Sequence, residues 1–160
     1  MSTHRATTTA LRAGLLLAAA AAALPAGAAT FRVDDTGTFV SQPVTPMRWR
    51  QLAPGRAGDH TVEGRLSVAL RLHLSPWLHR PARIYLALAP TDGEQLVASW
   101  RTQGRLLGGT VRGGDRALVF EGVVREPFLQ ESIVLDLTAD GRRLERAQSL
   151  QFFFEIEVAP

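Results

Sequence analysis

Between Thr61 and Leu74 every second residue is apolar or glycine. Val62, Gly64, Leu66, Val68, Leu70, Leu72 and Leu74 alternate with Thr61, Glu63, Arg65, Ser67, Ala69, Arg71 and His73. A period of two places one set on each face of an extended strand, whereas a helix would scatter the apolar set around its circumference. The pattern therefore predicts a long strand with one face in a core and the other in water.

The same alternation recurs at short intervals. Ala82–Ala89 carries Ile84, Leu86 and Leu88 on one face. Gln95–Thr102 carries Leu96, Ala98 and Trp100, and Glu131–Thr138 carries Ile133, Leu135 and Leu137. Leu150–Val158 carries Leu150, Phe152, Phe154, Ile156 and Val158. Gly104–Val111 is a weaker strand and Arg116–Val124 a further one; shorter strands are expected near Thr30–Val33 and Met47–Leu52. Thr91-Asp92-Gly93-Glu94, Gly113-Gly114-Asp115 and Ala139-Asp140-Gly141-Arg142 read as turns. Only Pro127–Glu131 and Arg142–Ser149 have room for a turn or two of helix. Short strands at this spacing predict an all-β fold, an antiparallel immunoglobulin-like sandwich of about seven or eight strands. A small closed barrel is the alternative, because alternation looks the same in both.

The amino-terminal segment is of another kind. His4, Arg5 and Arg12 precede an unbroken apolar run from Leu15 to Leu24, then Pro25 and the small residues Ala26-Gly27-Ala28. This is the pattern of a cleavable signal peptide over residues 1–28, and the run is too short to span a bilayer. Cleavage leaves residues 29–160 as one domain, exported to the periplasm or cell surface, with no membrane span.

Composition narrows the chemistry. There is no cysteine, and all 18 basic residues are arginine. Disulfides, thiol nucleophiles and lysine Schiff bases are therefore excluded. Residues 29–160 hold 16 arginines against 15 acidic residues, a net charge of +1, and no basic run exceeds two residues. Nucleic-acid binding needs a clustered basic face, so it is not expected. His60, His73 and His79 match no zinc spacing, and no metal or cofactor is expected. No serine lies in a Gly-x-Ser-x-Gly elbow. Ser75, between His73 and His79, is followed by Pro76 and reads as a strand-ending turn. Glu155 and Glu157 share the outward face of the last strand, where they read as gatekeepers of the Phe152-Phe153-Phe154 run and not as a glycosidase pair. Gly108-Gly109 reads as a hairpin turn, since no helix follows to make a phosphate cradle.

Exposed tryptophan and arginine are favoured anchors at interfaces. Two clusters qualify: Arg48 with Trp49, and Trp77 with His79. Phe153, on the outward face of the last strand, is the fifth candidate interaction residue. The alternative for Trp49 and Trp77 is that they cap the open ends of the core. These features predict a non-catalytic exported sandwich. It would assemble at the bacterial cell envelope, with other envelope proteins or with itself, through strand edges or end loops. A stand-alone periplasmic module that binds a ligand or client protein is the alternative, and an enzyme with an unrecognised site is the third reading.

In pattern the layout resembles bacterial fimbrial subunits, which are exported sandwiches with alternating terminal strands. Many of those subunits have a cysteine pair, a glycine in the last strand and a penultimate tyrosine. Here the chain has no cysteine, Leu150–Val158 has no glycine and Ala159 is penultimate. The resemblance transfers no residue role.

Overall fold

A computed structural model describes residues 28–41, 45–52, 58–90, 96–142 and 150–159. Residues 1–27 of the expected signal peptide, the turn at Thr91–Glu94 and most of the segment Arg142–Ser149 lie outside the described residues. The strands are β1 (Ala29–Arg32), β2 (Phe39–Val40), β3 (Arg48–Trp49), β4 (Thr61–His73), β5 (Pro81–Leu88), β6 (Val97–Arg101), β7 (Gly109–Arg112), β8 (Arg116–Val123), β9 (Phe128–Asp140) and β10 (Phe152–Val158). One turn of 3-10 helix, Ser75–Trp77, joins β4 to β5.

The strands form two antiparallel sheets. Sheet A runs β1-β10-β5-β8, and sheet B runs β2-β4-β9-β6-β7 with β3 also paired to β4. The two faces meet over a core of Leu66, Val68, Leu70 and Leu72 from β4, and Ile133, Leu135 and Leu137 from β9. Ile84 and Leu86 of β5 and Phe154, Ile156 and Val158 of β10 oppose them. The buried set is the alternating apolar set, so burial of one face determines the register of each long strand.

The sheets do not close into a barrel, which removes that alternative. The strand order also differs from the immunoglobulin one, where the first two strands pair in one sheet. Here β1 pairs with the last strand, and from β4 onward every connection crosses between sheets except the β6–β7 hairpin. That is the interleaved order of a double-sheet jelly roll. Ten strands are present among the described residues: β3 falls within the short strand expected near Met47–Leu52, and the two-residue β2, also on the edge of sheet B, is the one not expected.

Three local departures have physical causes. The strand β9 begins at Phe128, where a helical turn had room to form. Glu131 occupies an inward position between Leu129 and Ile133, and its carboxylate accepts the N–H groups of Gly104 (3.2 Å), Arg105 (2.9 Å) and Leu106 (3.1 Å). A charge in an apolar series hides the strand from periodicity. In β8, Ile84 pairs with Phe120 but Tyr85 pairs with Leu118, so Val119 is an extra, bulged residue turned into the core. Gly109 is not a turn residue. It lies in β7 opposite Trp100, which is buried between the sheets.

Candidate interaction surface

The strand β4 sets the spacing of the two tryptophan clusters. Trp49 pairs with Val62 at its start, while Trp77 follows its end at His73. Thirteen residues of strand span about 40 Å. The clusters therefore sit at opposite ends of the molecule and do not form one site.

At the β4 start, Arg48 is exposed and lies opposite Glu63. Trp49 is 45% exposed. Its ring meets His60 edge-on, with centroids 6.4 Å apart, and covers Gly141. At the far end, Trp77 is half-buried and packs against the core. Its outer side carries Phe31 of β1, 6.0 Å away and 46% exposed. His79 is exposed and has a φ of 64°, a left-handed conformation, while its N–H donates to the Val124 carbonyl (2.8 Å). Trp77 is thus both a core cap and part of a surface aromatic pair.

Phe153 lies on the outer face of sheet A, half-buried, with the Arg32 guanidinium 4.5 Å above its ring. It borders an open groove of about 700 Å3 with Ala87, Pro90, Thr110, Arg112 and Gly114. Beside it a cross-strand network holds the two glutamates. Arg116 reaches from β8 over the Tyr85 ring (4.4 Å) to Glu155 (3.0 Å) and Glu157 (2.6 Å) on β10. The Tyr85 hydroxyl donates to Glu157 at 3.0 Å. Arg116 first, and then Tyr85, hold the Glu157 carboxyl below the usual carboxylate range. Burial, then Glu157, pushes the Tyr85 phenol up. Glu155 and Glu157, expected as gatekeepers on the outward face, are partly covered and ion-paired, and through Arg116 they link β8 to β10 across β5.

The histidines do not converge. His60 lies at the start of β4 and His73 at its end, and no group of three metal-ligating side chains occurs among the described residues.

The strand edges differ in their protection. The outer edge of β8 is bulged, and Leu107 N–H donates to the Val119 carbonyl there (2.7 Å). Among the described residues, the strand β1 has no such cover: all four of its residues are exposed, and β10 is its one paired neighbour. The Val33 N–H donates to Phe154 (2.9 Å), so in this antiparallel ladder Ala29 and Phe31 face β10 and Thr30 and Arg32 turn their N–H and C=O groups outward. Composition and alternation did not mark this edge, because edge status depends on strand order.

No family model, curated protein or solved structure matches this chain.

Proposed function

We infer that this protein is an exported assembly module of the cell envelope. It would engage an extended segment of a partner protein, or of a second copy, along the outer edge of β1. The observation that carries this reading is the edge of β1, open among the described residues, set beside the exposed Phe31 and the half-buried Trp77 that it packs on. Unpaired backbone groups supply hydrogen bonds to an added strand, and neighbouring aromatic surface supplies affinity and selectivity. Export is supported by the position of the first described strand: β1 opens at Ala29, the residue that cleavage after Ala28 would leave first.

The test is association of residues 29–160 followed by light scattering across a concentration series, with Thr30→Pro as the comparison. Proline at Thr30 removes an outward donor and leaves the Ala29 and Phe31 bonds to β10 in place. Reversible association that the proline abolishes is expected. Association unchanged by the proline would refute the edge as the contact. A sharp monomer at every concentration would exclude self-assembly and move the question to partners in envelope extracts.

The groove beside Phe153 favours a second reading, a stand-alone module for a small ligand. Its lining mixes Phe153, Arg112 and the β7–β8 turn residues Gly114 and Asp115.

A further inference from the structure

We propose that Ser75, His73 and Asp34 form a nucleophile–base–carboxylate relay for acyl transfer, with carboxylic esters as substrate class. The three residues come from separate places: the β1–β2 connection, the end of β4 and the 3-10 turn. A backbone bridge brings the first two together, as the His73 N–H donates to the Asp34 carbonyl at 2.9 Å. The His73 Nε2 lies 2.8 Å from Ser75 Oγ, and Nδ1 lies 3.8 Å from Asp34 Oδ2. The carboxylate thus faces one ring nitrogen and the hydroxyl the other, the arrangement a serine nucleophile requires.

The ring is also held. His73 stacks on Phe128, with centroids 5.0 Å apart and planes 18° apart. Asp34 is fixed by the Thr36 N–H on Oδ1 (2.9 Å), and the Thr36 hydrogen bonds, first among its influences, keep its carboxyl below the ordinary range. An ionised Asp34 favours the tautomer with the proton on Nδ1, which leaves Nε2 to accept the Ser75 proton. The distance of 3.8 Å makes Asp34 a positioning residue acting through charge, not through a hydrogen bond. Leu74, between the two reacting residues, and Phe128, under the base, both border a cavity of about 390 Å3 whose lining mixes Phe120 and Leu129 with the charged Arg105, Glu121, Arg125 and Glu126.

In the step, Ser75 Oγ bonds to the ester carbonyl carbon as its proton passes to His73 Nε2. The carbon–alkoxide bond then breaks, and the alkoxide leaves as alcohol with that proton. Water, deprotonated by His73, attacks the acyl-serine, releases the acid and restores Ser75. Pro76 has no N–H to offer a developing oxyanion, so turnover is expected to be slow and acylation is the sharper readout.

The purified protein is treated with a fluorophosphonate probe, and the modified residue is located by mass spectrometry. Burst kinetics with p-nitrophenyl butyrate run in parallel. Labelling confined to Ser75 is expected, lost in Ser75→Ala and reduced about 100-fold in His73→Asn. Asp34→Asn is expected to lower kcat with KM unchanged. Thermal melts identify any variant that fails to fold, and Ser75→Cys, labelled by iodoacetamide in a His73-dependent way, covers that case. An unlabelled Ser75 in folded protein overturns the relay, and so does labelling indifferent to His73→Asn. Neither result touches the β1 edge reading, which uses none of these side chains.

Discussion

The indole of Trp100 lies against Gly109, its cross-strand partner, because Gly109 has no side chain to hold it off. A Cβ at that position would come within 2.9 Å of the ring carbon Cζ2. The ring cannot easily swing away: it is 3% exposed, and its Nε1–H donates to the Leu107 carbonyl at 2.9 Å. Gly109→Ala is therefore expected to destabilise the fold by about 1–3 kcal/mol, the usual cost of overpacking a filled core. Chemical denaturation measures it. A neutral substitution would show that the ring has another place to go.

Phe154 tests the core itself. Among the described residues it is the largest fully buried side chain, third in β10. Phe154→Ala is expected to cost about 3–5 kcal/mol, from lost transfer energy plus the cavity left behind. The same experiment on the neighbouring Phe153, which faces outward under Arg32, is expected to cost well under half as much. Similar costs would mean that the alternation assigned to β10 is out of register.

The network on sheet A makes stability depend on pH in a defined direction. Glu157 titrates below its ordinary value of 4.5 in the folded state, chiefly because Arg116 and then Tyr85 bond its charged form. A depressed folded value means that the unfolded chain binds the proton more readily. The stabilising contribution is present above about pH 4.5 and is lost as pH falls through the lower folded value. The difference in Tm between wild type and Glu157→Gln is thus expected to be largest near neutral pH and to shrink toward about pH 3. A difference that grows on acidification would contradict the assigned contact.

Glu131 provides a fourth test. Its carboxylate accepts three backbone N–H groups from Gly104, Arg105 and Leu106. Glu131→Ala leaves those donors without their acceptor and is expected to cost about 1–3 kcal/mol. Amide hydrogen exchange at 104–106 is expected to accelerate more than the global loss of stability explains. Uniform acceleration along the chain would assign the residue a global role instead.

The legible part of this fold is what periodicity can carry. The alternation in β4 and β10 runs unbroken, so their faces follow directly from the sequence. In β9 the alternation begins with a carboxylate at Glu131, and the strand start was read three residues late. The bulge at Val119 turns one residue inward without any local composition signal. Strand order is the larger gap. Each alternating strand declares which side is buried but not which strand lies beside it, so sandwich, barrel and jelly roll share one pattern. The candidate residues show the same division. Trp77 and Trp49 stand out by type, while the meeting of Asp34 with His73 depends on a crossing from sheet A to sheet B that only the fold creates.

The central claim is that β1 holds an exposed edge beside Phe31 and Trp77 and works by accepting another strand there. The chain has no cysteine, so a single introduced pair can report on that edge without background. Thr30 and Glu157 face one another across β1 and β10 outside the hydrogen-bonded pairs. The Thr30→Cys, Glu157→Cys variant is expected to oxidise to an intramolecular disulfide, which fixes β1 to β10 and leaves its outer edge free. The decisive measurement is sedimentation equilibrium of the oxidised variant with and without Arg32→Pro. Association that persists in the locked protein and disappears with proline at Arg32 is the predicted result. Association that survives proline would contradict the account, and failure of the disulfide to form would remove β1 from its assigned place.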